Sequence, residues 1–179
     1  WRFDGCPHVG GGLQVVDTGK THMVHATVWT GKPESMGVYY LRSLDDGRSW
    51  DAPRPLGTSG AWHSDISGSD DGMVVAIWDS YLDTEREEGA GTAVYLSTSS
   101  DNGTTWTEPD RLSARRTSAH HPRVIQVPEG FRIFWVEKQK ETADTMHSRM
   151  LTVSNGKITI ERRGILKGFK DWMENLFSS

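Results

Sequence analysis

The stretch Ser43-Leu44-Asp45-Asp46-Gly47-Arg48-Ser49-Trp50 returns almost letter for letter as Ser99-Ser100-Asp101-Asn102-Gly103-Thr104-Thr105-Trp106. Each copy follows an apolar run, Val38-Tyr39-Tyr40-Leu41 before the first and Val94-Tyr95-Leu96 before the second, and each is followed three residues later by a proline, Pro53 or Pro109. The order reads as strand, tight turn, strand. Gly47 and Gly103 supply the positive φ that a short hairpin turn needs, and the Asp and Ser or Thr side chains can hydrogen-bond back to turn amides. Trp50 and Trp106 then anchor the outgoing strands.

From Ser43 to Ser99 is 56 residues, and that period organises the chain. Three apolar runs end in tryptophan: Ala26-Thr27-Val28-Trp29, Val75-Ala76-Ile77-Trp78 and Arg132-Ile133-Phe134-Trp135. They read as the second strands of three successive units. Ahead of them lie Cys6-Pro7-His8-Val9, Trp62-His63-Ser64-Asp65-Ile66 and His120-His121-Pro122-Arg123-Val124, expected as first strands. Each unit then holds four strands, which is the composition of a propeller blade. In the third unit Ser148 to Val153 and Lys157 to Ile160 flank Ser154-Asn155-Gly156, so a hairpin remains without the Asp and Trp of the repeated turn. The expected organisation is blades at about 1–57, 58–113 and 114–163.

The repeated turn resembles the Asp-box of the sialidase-like β-propellers, a family that includes many non-catalytic members. Ser43, Asp45, Gly47, Trp50, Ser99, Asp101, Gly103 and Trp106 carry that resemblance, which extends over residues 1–163. It implies an all-β fold, an extracytoplasmic location and a binding face opposite the boxes. Asn102-Gly103-Thr104 matches a glycosylation sequon, but the box turn already accounts for it.

The 179 residues hold only about 3.2 units of 56, whereas propellers close with roughly four to eight blades. Three blades leave open edges and an uncovered apolar face. Either two chains associate into six blades, the number that sialidases use, or the chain is part of a longer one, or another subunit covers the open sides. Residues 164–179 read as an amphipathic helix, with Ile165, Leu166, Phe169, Trp172, Met173, Leu176 and Phe177 on one stripe. That helix and the open blade edge are the expected contacts with a second copy or a protein partner.

Bulk properties exclude several classes. A net charge of −4 provides no basic footprint for nucleic acid, and no run is long enough to span a bilayer. The lone Cys6 cannot form an intrachain disulfide. Trp1-Arg2-Phe3 is neither a start methionine nor a signal peptide, which reads as an N-terminus processed, trimmed or incompletely represented.

In a propeller the segments entering the first strands and the loops from second to third strands gather on one face. That face is expected to receive Cys6, His8, His63, Asp65, His120, His121 and Arg123, with the loops at 30–37, 79–92 and 137–145. Ligand contacts fall to His8, His63, Asp65, His120, His121 and Arg123. The candidate metal ligands, for zinc or copper, are Cys6, His8, His63 and His121, although no segment has a tight ligand spacing. A sialidase-like hydrolase needs arginines for the substrate carboxylate, an acid and base carboxyl and an activated tyrosine. The candidates are Arg123, Asp65 and Tyr81, with the acidic residues Asp83, Glu85, Glu87 and Glu88 nearby in sequence. Gly10-Gly11-Gly12 lacks the lysine of a phosphate loop and reads as close backbone approach at the channel. The leading expectation is a non-catalytic recognition module for glycan or protein, or an accessory subunit. A glycoside hydrolase and a metal-binding propeller are the alternatives.

Overall fold

The structure is a computed structural model that describes residues 9–82, 91–138, 144–154 and 157–161. The expected C-terminal helix at 164–179 lies outside these residues. Among the described residues twelve strands form three antiparallel four-stranded sheets, each a simple meander. The first contains β1 (Leu13–Asp17), β2 (His22–Thr30), β3 (Gly37–Ser43) and β4 (Arg54–Leu56). The second contains β5 (Ala61–Gly68), β6 (Val74–Tyr81), β7 (Thr92–Ser99) and β8 (Asp110–Arg111). The third contains β9 (Ser118–Val127), β10 (Gly130–Lys138), β11 (Thr145–Ser154) and β12 (Lys157–Ile160). The only helical element among the described residues is a short 3-10 turn at Pro33–Ser35, and none is long and apolar enough to cross a membrane. Strand β5 touches both β1 and β9, so the sheets fan out from adjacent inner strands.

The first described strand of the first sheet starts at Leu13; the expected first strand Cys6-Pro7-His8-Val9 falls largely outside the described residues. A Cβ on Gly11 would lie 1.7 Å from the Thr27 carbonyl oxygen, and one on Gly12 would lie 2.6 Å from Asp65 Oδ1. These residues pack backbone on backbone against β2 and β5, the close approach expected of them.

The two copies of the repeated turn share the hydrogen bonds of their Asp and Ser side chains. Asp45 accepts from the Ser49 N–H at 2.8 Å, the Ser49 hydroxyl at 2.6 Å and the Ser43 hydroxyl at 2.8 Å. Asp101 accepts from the Thr105 N–H at 2.8 Å, the Thr105 hydroxyl at 2.6 Å and the Ser99 hydroxyl at 2.7 Å. Ser43 Oγ and Ser99 Oγ in turn accept the Gly47 and Gly103 N–H groups. A carboxylate with this many donors favours its ionised form, and the Thr105 bonds hold Asp101 down to about 2. Turn geometry is therefore encoded locally, whatever the sheet packs against.

Strand β6 reads Val-Val-Ala-Ile-Trp without alternation because both faces of its sheet are covered. Val74, Ala76 and Trp78 pack with Val38, Tyr40 and Leu56 of the first sheet, while Val75 and Ile77 pack with Phe131, Ile133 and Trp135 of the third. The three strand-ending tryptophans are not equivalent. Trp78 lies four residues beyond Val74, the partner of Ser99, but Trp29 lies five beyond Val24, the partner of Ser43. An odd step reverses the face. Trp29 consequently turns toward the second sheet, its ring 4.8 Å from that of Trp62.

The second turn is keyed into the first sheet. The Trp106 ring meets Tyr40 edge-on at 4.7 Å, and Arg42 Nη1 donates to the Asn102 carbonyl and to Thr104 Oγ1, both at 2.8 Å. A Cβ on Gly103 would lie 1.8 Å from the Tyr40 hydroxyl, and Gly103 also holds φ at +78°. Gly103→Ala is expected to lower stability by roughly 2–4 kcal/mol, read as a shift of the urea midpoint, because strain and overpacking add.

The same interface buries His25 completely, with Nδ1 2.7 Å from the Tyr40 hydroxyl. Burial, reinforced by the Arg42 charge, pushes its pKa down to about 4. The unfolded chain therefore binds a proton near pH 6.5 that the native state resists, so stability falls as pH drops from about 6.5 toward 4. Thermal midpoints measured across that window should fall more steeply in the wild type than in His25→Phe.

Candidate functional site

The inner strands β5 and β9 each carry a bulge near the end opposite the repeated turns. In β5 the register shifts between Ala61 and Ser64, placing Trp62 and His63 against Asp79 of β6. In β9 it shifts opposite Phe134 to Val136, and His121 takes φ +54°. An extra residue re-aims the side chains beside it. The two bulges bring Trp62, His63, Tyr81, His120 and His121 around one shallow cavity of about 250 Å3, with Thr92 and Asp79 completing the lining.

Asp79 holds this cluster together and is itself buried. Its Oδ1 accepts the His63 N–H at 2.9 Å, and its Oδ2 accepts both His63 Nδ1–H at 2.8 Å and the His121 N–H at 2.9 Å. A carboxylate only accepts, so Nδ1 of His63 carries the hydrogen and its Nε2 is left as the variable group. The His63 and His121 rings are 4.2 Å apart, and His121 Nδ1 is 2.7 Å from His120 Nδ1. Between two such nitrogens one donates and the other accepts. Burial, with the neighbouring His63 and His120, holds His121 below the usual imidazole range.

The aromatic part is continuous with this polar part. Trp62 lies between Trp29 and Tyr81, at ring distances of 4.8 and 6.1 Å, and is 6.3 Å from His63. Tyr81 is 60% exposed at the end of β6, so its ring and hydroxyl reach solvent at the cavity mouth.

Of the residues expected here, His63, His120, His121 and Tyr81 are brought together. Asp65 lies elsewhere on β5, its Oδ1 accepting the Ile66 N–H and its Oδ2 the Val124 N–H, both at 3.0 Å. It fastens the second sheet's inner strand to the third's. Burial raises its pKa despite those bonds and Arg123. Arg123 is exposed on β9 and does not line the cavity. Cys6, His8 and the acidic residues Asp83, Glu85, Glu87 and Glu88 lie outside the described residues. Among the described residues no group of three or more His, Cys, Asp or Glu is arranged to hold a metal ion. Asp79 and Trp62 also line the cavity, and the sequence reading does not single them out. The signal for Asp79 was an acid following an apolar strand, Val75-Ala76-Ile77-Trp78-Asp79, where a buried carboxylate requires several donors.

Asp79→Asn keeps the shape but offers one acceptor oxygen for three donors. It is expected to cost on the order of 2–4 kcal/mol in chemical denaturation and to release the His63 tautomer, visible as a changed imidazole nitrogen shift by NMR.

No protein-family model matches the sequence, and no curated protein matches it. Solved structures do share the fold. A Dyadobacter fermentans protein of unknown function aligns at TM-score 0.52 and 17% identity, over 87% of this chain and 50% of that one. The Hadza microbial sialidase Hz136 aligns at 0.53 and 15%, over 84% and 36%. A mutant of NanB sialidase from Streptococcus pneumoniae aligns at 0.53 and 13%, over 84% and 22%. The chain thus spans half or less of each of these, and the likeness is one of fold: three blades of a sialidase-like β-propeller.

Proposed function

We propose that the chain is an Asp-box propeller module that recognises a glycan, extracytoplasmically, through the end bearing Trp62, Tyr81, His63, His120 and His121, without cleaving it. The observation that supports this reading is the juxtaposition of the exposed Tyr81 ring and the half-buried Trp62 ring with an imidazole whose tautomer a buried carboxylate sets. Sugars present apolar C–H faces that stack on aromatic rings, flanked by hydroxyls that need oriented donors and acceptors. The repeated turns lie at the opposite strand ends, where their side chains are consumed by the turns themselves.

The hydrolase reading rests on Asp65 and Arg123. Burial gives Asp65 the raised pKa that a general acid needs, but both its oxygens are occupied by peptide N–H groups. No arginine lines the cavity among the described residues, so nothing there clamps a sugar carboxylate bidentately.

Titration calorimetry against neutral and sialylated oligosaccharides tests the proposal. Binding is expected, weakened roughly three- to tenfold in Trp62→Ala, the worth of one aromatic contact. Release of sialic acid from a fluorogenic sialoside, abolished in Arg123→Ala, would make it a hydrolase; absence of binding to every oligosaccharide would remove the glycan reading.

A further inference from the structure

Two buried tryptophans occupy equivalent places in successive sheets, and their indole N–H groups are treated differently. Trp135 pairs with His147 and stacks on its ring with the planes 20° apart, as Trp78 pairs with Tyr95 and stacks on it at the same angle. Each is 1% exposed and packs toward the preceding sheet. For Trp135 the buried Glu137 supplies an oxygen: its Oε1 accepts the indole N–H at 2.9 Å and, across the seam, the Ala114 N–H at 3.2 Å. The residue two beyond Trp78 is Ser80, which is too short to do the same. Its hydroxyl donates to the Tyr81 carbonyl at 3.3 Å and meets Thr58 Oγ1 at 3.4 Å, and the Trp78 N–H makes no hydrogen bond among the described residues.

Where the third sheet places a carboxylate, the second leaves space. A cavity of about 230 Å3 opens there, lined by Trp78, Tyr95 and Pro109 of the second sheet and by Gly57 and Thr58 of the connection from the first. Gly57 holds φ at +73°, and a Cβ on it would lie 2.5 Å from the indole nitrogen, so any side chain there would cover that atom. A buried donor without a partner is costly, and an oxygen arriving from outside relieves the cost. The surroundings say which oxygen. At Trp135, Arg149 lies over the ring at 5.2 Å and His147 Nε2 is 3.6 Å from Glu137, so positive charge is at hand for a carboxylate. No charged side chain lines the Trp78 cavity among the described residues, which favours an uncharged acceptor. Aromatic rings, a proline and the Thr58 and Ser80 hydroxyls suit a ring with an apolar face and hydroxyl groups.

Tyr81 joins this cavity to the one at His63. Successive residues of β6 face opposite sides of the sheet, so Asp79 serves the His63 cavity and Trp78 and Ser80 serve this one. Tyr81, exposed at the end of the strand, lines both. We propose that the Trp78 cavity is a second sugar pocket: an oligosaccharide seated at His63 continues over Tyr81 into the seam between the first and second sheets, where the Trp78 indole N–H donates to one of its hydroxyl or ring oxygens. The ligand is therefore an oligosaccharide and not a single sugar. Neither cavity, at about 250 and 230 Å3, reaches the roughly 300–1,000 Å3 of a typical ligand site, and the two in series do. This second pocket rests on the glycan reading of the His63 cavity.

The indole N–H signals of the wild-type protein, followed by NMR during titration with lactose and with sialyllactose, test it. The Trp62 and Trp78 signals should move together and with a single dissociation constant. Ser80→Gln brings an uncharged oxygen to Trp78 at the reach that Glu137 has, and it should still the Trp78 signal and weaken binding about tenfold, with Trp62 still responding. The urea midpoint of the variant shows that it folds, and the wild-type titration stands without it. A Trp62 signal that moves while Trp78 stays fixed overturns the second pocket and leaves the glycan reading intact. Trp78 moving alone overturns the path over Tyr81, and undiminished binding by folded Ser80→Gln overturns the pocket as well. If neither signal moves with any neutral or sialylated oligosaccharide, the glycan reading falls and this pocket falls with it.

Discussion

Burial of sheet faces against a neighbouring sheet is the constraint on which the core is built. The second sheet is the one that achieves it on both faces within the described residues, and its core strand β6 is apolar at every position from Val74 to Trp78 for that reason. Each face alone would be a half-built core, since a meander of four strands buries little against itself. The contacts that matter are consequently those between sheets: Trp78 and Trp106 against Tyr40 on one side, Val75 and Ile77 against Phe131 and Trp135 on the other.

Polar groups reinforce the same seams. Arg42 ties the first sheet to the second turn, and Asp65 ties β5 to β9. Asp79 ties His63 of the second sheet to the His121 backbone of the third. Asp79 therefore has two roles that cannot be separated: it satisfies buried donors across a sheet interface, and in doing so it fixes the imidazole at the cavity. A surface assembled at such a seam inherits the rigidity of the packing beneath it, and rigidity lowers the ordering cost of any ligand bound there.

The two ends of the strands divide labour by chemistry. At one end, Ser43, Asp45, Ser99 and Asp101 spend their hydrogen bonds on their own turns, leaving little to offer a ligand. At the other, the bulges in β5 and β9 free side chains from the ladder and gather imidazoles and aromatic rings. Turns close the strands, and bulges open the site.

The sequence by itself determined the repeat, the strand order and the turn chemistry, because these are local. Asp, Gly and Ser spaced within a few residues make the same hydrogen bonds wherever they occur. It also placed His63, His120, His121 and Tyr81 at one end of the sheets, together with Asp65 and Arg123, which do not line the cavity. Only the tertiary structure decided the rest. Trp29 reverses its face through one residue of register, which a shared pattern of apolar runs ending in tryptophan conceals. Asp65 and Asp79 are both acids near inner strands, yet one staples two strands and the other organises the cavity. That difference is set by which N–H groups come within reach once three sheets pack side by side, and by bulges whose position no local pattern dictates.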